Sequence, residues 1–545
     1  MMKKENTGRT TSSRKDSFAF ILILTYIVML AFRIPLGLFI GDNGNAYFSV
    51  ANELCMILAG MVSFGLSEAV TVLIRYRIRR EQYKSAQMVL REALFIGAVI
   101  GLLFMAILGI GGSAISAQIV KLPLAGLSVR MMAPALFFTI ETGVFRGYFQ
   151  GNGSQIPSMH SKIIHTIIYV VGGLLGAAIM KDYGQKVAAL LQNANHTAAY
   201  GAMGASIGIL IASVLCFLHM LILFVVFSRE SKRQRNHENV RNLDSRTHIL
   251  YMITGTGIFH SLFWLLCSGQ PLLDQQLFFR FQKNIENMDL LWGIYYGKYL
   301  VLIGIPSLLI LLLFISSICK IMALFEREDY RVAREKLGIL IHQCAVVACP
   351  VAIFTAVFAE NILNIIWKGN NQETATWIQL GSILIILMSF SAVFMEMIQK
   401  IKRVKAVLLI SGIAFVVKIV ITCILLINTN LGIKSLVIGN IVFFAGMAMI
   451  SFWMLSSMLQ YRQEWFRCFA ITIIASAVSG VIAALLNKVF YSLLGSMIAL
   501  IIGLVVAVIC YLIFLVIGRG FTEEEMYSMP GGKLLLFISS WFPFL

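Results

Sequence analysis

The chain has 545 residues, of which 59% are hydrophobic and only 13% are charged. Soluble domains carry about 25% charged residues, so this composition excludes a soluble globule and indicates an integral membrane protein. The formal charge of +18, from 44 Lys and Arg against 26 Asp and Glu, would otherwise suggest nucleic-acid binding. Because the basic residues lie in short loops between apolar runs, they report membrane topology, and we expect no nucleic-acid partner.

Apolar runs long enough to cross about 30 Å of hydrocarbon recur along the whole chain. The polar N-terminal tail has no small-residue cleavage site before the first run, so we predict a retained helix and not a signal peptide. We predict fourteen membrane helices, at 18–41, 46–74, 92–118, 122–148, 156–180, 201–228, 248–272, 290–319, 337–367, 374–399, 404–428, 432–459, 465–489 and 492–518. Basic residues concentrate in alternate loops, which predicts a multi-pass membrane protein with both termini in the cytoplasm.

The longest internal polar stretch divides twelve of these helices into two sets of six. The predicted organisation is a cytoplasmic tail (1–17), an N-terminal lobe (18–228), a cytoplasmic linker (229–247), a C-terminal lobe (248–459), two further helices (460–520) and a cytoplasmic tail (521–545). An even number of helices per lobe gives both lobes the same orientation, so a pseudo-two-fold axis along the membrane normal is expected. The predicted fold class is therefore all-α and polytopic.

The segment FRGYFQGNGSQIP (145–157) separates two apolar runs with a basic residue, three glycines and a proline. We interpret it as a tight cytoplasmic turn. Gly147, Gly151 and Gly153 would supply backbone angles that other residues avoid. Arg146 would anchor the helix end, where positive charge suits the carbonyl-rich terminus.

Four cations lie inside apolar runs: Arg33, Arg130, Lys298 and Lys418. Each costs about 2.5–3.5 kcal/mol on insertion scales, so such residues normally face a cavity or a partner. Arg33 lies about 22 Å along the first helix, and its planar donor fork suits a phosphate. The alternatives are snorkelling to the interface, or ion pairs of Arg33 with Glu53 and of Lys418 with Glu396.

Four acids are the candidates for ion coupling: Glu53, Glu68, Glu141 and Asp274. They could carry protons or coordinate sodium. The alternative for the three glutamates is internal pairing with Arg33 or Arg130. For Asp274, at the outer end of the seventh predicted helix, the alternative is an interfacial position.

Enzyme motifs are missing from the sequence. The histidines form no HExxH, the cysteines form no CxxC, and there is no phosphate-binding GxxxxGK[ST] loop. We therefore expect no enzymatic activity, no metal and no cofactor. A transport cycle would depend on Na⁺, H⁺, the membrane potential or the substrate gradient.

Four segments together resemble a known family: RIPLGLFIGDNGNAY (33–47), SFGL (63–66), APALFFTIETGVFRGYFQGNGSQIP (133–157) and GAMGASIG (201–208). They resemble the stage V sporulation protein B and lipid II flippase branch of the polysaccharide transporters. That branch lies within the multidrug/oligosaccharidyl-lipid/polysaccharide (MOP) exporter superfamily. The segment GAMGASIG alone would indicate only close helix packing through small residues.

The chain also departs from that family. Ser67, Glu68 and Ala69 follow SFGL, where relatives continue with proline and small residues. His165 and Tyr169 stand where relatives carry an acidic and basic pair, and 397–402 (MIQKIK) replaces a glycine-rich ending. These departures indicate a divergent member, whose substrate can differ from lipid II.

The resemblance implies a flippase of the bacterial cell membrane that moves a polyprenyl-pyrophosphate-linked saccharide, such as lipid II or a related envelope precursor, to the outer leaflet. We expect its partners to be this glycolipid and the membrane lipids, and we expect a monomer. The headgroup would be neutralised by Arg33, Lys418, Arg130 and Lys298. The Arg33→Ala change should abolish function while the protein stays in the membrane. The alternatives are a cation-coupled multidrug antiporter, which needs a cavity dominated by acids, and a non-transporting scaffold for envelope or spore assembly.

Overall fold

The computed structural model describes residues 18–236, 244–282, 287–369, 371–401, 403–461 and 466–518, and every regular element in these ranges is helical. The helices are α1 (18–31), α2 (Arg33–Ile78), α3 (Tyr83–Ala114), α4 (Gly126–Gly151), α5 (Ile156–Leu191), α6 (Asn195–Asn236), α7 (Arg246–Ser268), α8 (Gln270–Phe281), α9 (Met288–Ile294), α10 (Leu300–Glu326), α11 (Tyr330–Val357), α12 (Ala359–Ile366), α13 (Gln372–Gly381), α14 (Ile383–Lys400), α15 (Val404–Asn428), α16 (Ile433–Leu459), α17 (Ile471–Leu494) and α18 (Ser496–Ile517). The predicted tails, 1–17 and 521–545, lie outside the described residues.

The first two predicted membrane helices form one run of 61 residues from Phe18 to Ile78. Gly41 interrupts this run with φ 76° and ψ 174°. An unbroken helix of this length would measure about 90 Å, three times the hydrocarbon thickness, so the run comprises two crossings. The described residues contain 13 candidate spans by length and composition. Dividing the first at Gly41 gives the fourteen predicted, and the all-helical membrane fold is confirmed.

The segment predicted as a glycine-rich turn is mostly helical. Helix α4 continues through Gly147 to Gly151, and the chain turns only at 152–155. A Cβ added at Gly147 would lie 2.9 Å from the Cα of Ser67 in α2, so this glycine permits close helix packing. Gly153 alone has the positive φ, 87°, that the turn requires. The turn assignment therefore fits Gly153, while Gly147 and Gly151 are helical residues of α4.

Helices α5 and α6 cross with their backbones in direct contact. Gly172 and Gly176 of α5 face Gly208 and Gly204 of α6, and a Cβ at Gly172 would lie 3.2 Å from the carbonyl oxygen of Gly208. This is the small-xxx-small arrangement that brings membrane helices together. The GAMGASIG segment thus packs as its small residues indicated.

The chain forms two compact units, 1–297 and 298–545. In the first unit, α7 packs along α2, where a Cβ at Gly65 would lie 2.8 Å from the carbonyl oxygen of Gly257. Just before α7, Asp244 accepts a hydrogen bond of 2.7 Å from the buried Arg77 of α2. Because these contacts hold α7 against α2, the division falls later than the predicted linker at 229–247.

The second unit includes the last two membrane helices. Tyr511 of α18 donates a hydrogen bond of 2.8 Å to the carbonyl oxygen of Val346 in α11. The Asn361 and Asn487 side chains, from α12 and α17, exchange hydrogen bonds of 2.9 and 3.0 Å. Helices α17 and α18 therefore pack against α11 and α12 in this unit.

Candidate functional site

An elongated cavity of about 260 Å³ lies within the first unit. Its walls come from α1, α2, α4, α5 and α6, together with Trp264 of α7. The α2 wall extends from Asn52 to Glu68, which corresponds to about 24 Å along the helix axis. The cavity therefore runs lengthwise between the helices, and its lining combines apolar, aromatic and polar side chains.

Two helices present polar stripes to this cavity. The stripe on α4 consists of Thr139, Thr142, Arg146 and Gln150, and the stripe on α5 consists of Ser158, Lys162, His165 and Tyr169. Residues three or four apart share one face of a helix, so each stripe is continuous. Sequence reasoning did not find this site, because Arg146 was assigned to the cytoplasmic end of a helix. The polar residues at helical spacing within apolar runs were the available signal.

Arg146 lies one turn before the end of α4 and lines the cavity. Its Nε donates a hydrogen bond of 2.8 Å to the Ser161 hydroxyl, and its Nη2 lies 3.4 Å from the Sγ of Cys216. The Lys162 ammonium lies 5.4 Å from the ring centroid of Tyr26, in cation–π range. The residue predicted to anchor a turn therefore also contributes positive charge to the cavity.

Arg33 forms an ion pair with Glu53, which was the alternative weighed for it from the sequence. The distance from Arg33 Nη2 to Glu53 Oε1 is 3.0 Å, and the two side chains are 14% and 6% exposed. The Arg33 guanidinium lies 3.7 Å from the ring centroid of Tyr296, whose hydroxyl donates a hydrogen bond of 2.9 Å to the same Glu53 oxygen. Arg33 is not among the residues that line the cavity.

A chain of hydrogen bonds connects this ion pair to the cavity. The Asn52 amide donates a hydrogen bond of 2.9 Å to the Tyr296 hydroxyl, and the Tyr169 hydroxyl donates one of 2.9 Å to the Asn52 carbonyl oxygen. Asn52 and Tyr169 both line the cavity. A group bound there could therefore influence Arg33 through two side chains.

Two of the predicted cations lie in the second unit. Lys418 is fully buried, and its Nζ donates a hydrogen bond of 2.7 Å to Asn440. The partner considered from the sequence, Glu396, instead pairs with Lys400 at 3.1 Å. Lys298 is 6% exposed, with its Nζ 5.8 Å from the ring centroid of Trp367.

Arg130 is exposed, and its aliphatic stem packs beside Gly112 of α3. The Glu141 Oε1 lies 2.8 Å from the position of a Cβ added at Gly97 of α3, and it has no hydrogen-bond partner among the described residues. The two residues therefore do not form the ion pair that the sequence suggested for them.

The remaining predicted acids occupy different settings. Glu68 lines the cavity in the first unit. Asp274 is 1% exposed and belongs to α8, a separate 12-residue helix that follows α7. Of the eight predicted charges, Glu68 is the one that lines this cavity.

Lys418 and Asn440 provide a test of how the second unit holds a buried cation. The Asn440→Leu change removes an acceptor of a buried ammonium and should lower the free energy of unfolding by about 2–3 kcal/mol. The double change Lys418→Met with Asn440→Leu should recover part of that loss, since neither polar group remains. Thermal denaturation of the purified proteins measures both effects. An Asn440→Leu protein as stable as the unmodified one would contradict this role.

No family model matches the chain. In sequence, it is similar to stage V sporulation protein B of Bacillus subtilis (strain 168), with 20% identity over 466 residues that cover 83% of this chain and 86% of that protein. This confirms the resemblance predicted from the four motif segments.

Solved structures of the MOP superfamily share the fold. An inward-facing multidrug resistance MATE family transporter matches with a TM-score of 0.60 and 14% identity, covering 80% of this chain and 95% of that one. A MOP superfamily transporter from Pyrococcus furiosus Vc1 (DSM3638), described as having a binding pocket of reverse polarity, matches with a TM-score of 0.55 and 16% identity, covering 82% and 97%. At these identities the likeness establishes the fold.

Proposed function

We propose that this protein is a flippase that moves a polyprenyl-pyrophosphate-linked saccharide, such as lipid II or a related envelope precursor, from the inner to the outer leaflet by alternating access. The observation that carries the proposal is the charge of the first unit's cavity. Its lining contains two cations, Arg146 and Lys162, and one carboxylate, that of Glu68. Such a balance favours an anionic cargo over a cationic one.

The chemistry of a lipid-linked saccharide suits the rest of the lining. Moving a charged headgroup through hydrocarbon without partners is prohibitively costly, so the pathway must supply cations for the phosphates and hydrogen bonds for the sugar. The stripes on α4 and α5 supply hydroxyl and amide groups beside the cations. The polyprenyl tail needs no protein partner, because its apolar chain is soluble in the hydrocarbon of the bilayer. Energy for the cycle would come from Na⁺, H⁺ or the membrane potential.

Complementation tests this proposal. The chain is expressed in cells depleted of their own lipid II flippase, and survival and surface accessibility of lipid II are measured. We expect rescue by the unmodified chain, and loss of rescue by Arg33→Ala at equal membrane abundance. Lys186→Ala, which removes an exposed charge of α5, is the matched control and should rescue.

Failure to rescue despite good membrane expression would contradict the lipid II form of the proposal. Efflux of cationic drugs by the same cells would then favour a multidrug antiporter. Full tolerance of charge changes in the cavity, with a sporulation or envelope defect on deletion, would favour a scaffold.

A further inference from the structure

Arg146 and Lys162 are neighbours at one end of the cavity. Ser161, adjacent to Lys162 on α5, accepts a hydrogen bond from the Arg146 Nε. Ser158 lies one helical turn before Lys162, and its hydroxyl contacts both the Arg146 carbonyl oxygen at 3.4 Å and the Gln150 amide at 3.2 Å. These contacts place two cations, a hydroxyl and an amide donor together beside the α4–α5 turn.

Neither cation has a carboxylate partner among the described residues. The polar contacts of Arg146 are the neutral Ser161 and Cys216, and Lys162 rests against the Tyr26 ring. Two other arginines of this unit are compensated, the partly buried Arg33 by Glu53 and the buried Arg77 by Asp244. Two partly buried like charges repel each other and are poorly hydrated, so this end of the cavity is electrostatically incomplete without an anion.

We propose that Arg146 and Lys162, with Ser158 and Gln150, form a phosphate-binding subsite, and that it takes the pyrophosphate of the cargo. This assignment rests on the proposed function, and it locates the anion away from Arg33. The free edge of the Arg146 guanidinium donates to phosphate oxygens, while Lys162 acts as a point charge. Gln150 adds the second N–H of its amide as a neutral donor at the same end, and Ser158, which accepts the first, holds that amide in place.

The opposite end of the cavity has a different chemistry. Asn52 and Tyr169 present amide and phenol groups there, and the nearest cation, Arg33, is already paired with Glu53. Between the two ends, the tilted rings of Phe64 and Trp264, with centroids 5.4 Å apart, form an apolar and aromatic wall. A headgroup with its pyrophosphate at Arg146 and Lys162 would therefore extend its neutral sugars along this wall toward Asn52.

Binding by the purified protein tests the subsite. The probes are inorganic pyrophosphate and undecaprenyl pyrophosphate in detergent, and the readouts are the dissociation constant and the ligand-induced rise in Tm. Arg146→Gln and Lys162→Gln should each weaken binding about tenfold or more, the effect of losing one charge-assisted hydrogen bond. Arg146→Lys should retain part of the affinity, and Lys186→Gln, the exposed control, all of it. Added salt should weaken binding to the unmodified protein.

Each outcome separates the subsite from the transport proposal. If only undecaprenyl pyrophosphate binds, and both glutamine variants lose that binding, the subsite recognises a lipid headgroup. If both probes bind equally, and the same variants lose the binding, the subsite recognises phosphate from either source. Binding that both variants retain, or no binding of either probe to the unmodified protein, overturns the subsite. Failed complementation with intact pyrophosphate binding would contradict the lipid II form of the proposed function and leave the subsite standing.

Discussion

The Glu53→Gln change is expected to lower the free energy of unfolding by about 3 kcal/mol, because it leaves the Arg33 guanidinium buried without its carboxylate. The estimate is the lower end of the range for broken buried pairs, since the Arg33 side chain keeps 14% exposure. The loss also disturbs Tyr296, whose hydroxyl donates a hydrogen bond of 2.9 Å to Glu53. Thermal denaturation of the purified protein in detergent measures the effect.

A double-mutant cycle separates the ion pair from its surroundings. The double change Arg33→Met with Glu53→Leu should be less destabilising than the sum of its single changes, because no uncompensated charge remains. Glu396→Gln is the matched control: its partner is Lys400, and the two side chains are 33% and 30% exposed. Partly exposed pairs contribute about 0–1 kcal/mol. A Glu53→Gln protein no less stable than the Glu396→Gln protein would refute the structural role of the pair.

This result also bears on how a transport defect of Arg33→Ala is interpreted. If Arg33 acts through the network, Glu53→Gln should impair rescue as strongly as Arg33→Ala does. A cation that binds cargo directly predicts the opposite, because neutralising Glu53 would leave the positive charge in place. Measuring both variants at equal membrane abundance distinguishes the two roles.

The membrane helices were predictable because the bilayer limits the options of the chain. In hydrocarbon every backbone group must be hydrogen-bonded within the protein, so long apolar runs become helices regardless of their neighbours. Even the division of the first 61-residue run follows from the sequence, since the first predicted run, 18–41, ends at Gly41 and the second begins at 46. Hydropathy did not reveal the break between α13 and α14, within the predicted span 374–399.

The partners of the buried charges were harder to predict, because they depend on which helices meet. Arg33 and Glu53 were considered as a pair, and they form one. Lys418 binds Asn440, a neutral residue that a search for opposite charges passes over. Arg146 appeared to end a helix, and only the packing of α4 against α5 and α6 turns it toward the cavity.

The roles of the glycines also depend on which helices meet. Gly147 and Gly153 lie in one glycine-rich segment and look alike in sequence, yet only Gly153 has a positive φ. A glycine is retained in a turn for its backbone freedom and in a helix for its missing side chain. The presence of Ser67 across from Gly147 decides between these roles, and that contact is a tertiary property.

The Gly208→Val change should prevent α5 and α6 from packing and should destabilise the protein by about 3 kcal/mol or more, above the usual cost of overpacking. The atoms that an added Cβ would overlap belong to the backbone of Gly172 and Gly173, which cannot rotate away as a side chain can. No smaller residue is available on α5 to compensate, because the facing residues are already glycines.

Gly255→Val is the matched control for this change. Gly255 lies in α7 with nothing within 4 Å of an added Cβ, so the same substitution there alters only helix propensity and an exposed surface. We expect a small change in Tm for Gly255→Val and a large fall, with reduced yield of folded protein, for Gly208→Val. Because α6 also contributes Ser213 and Cys216 to the cavity wall, a separated α5–α6 pair should lose pyrophosphate binding as well. Equal stability of the two valine variants would show that the close crossing of α5 and α6 is not needed for the fold.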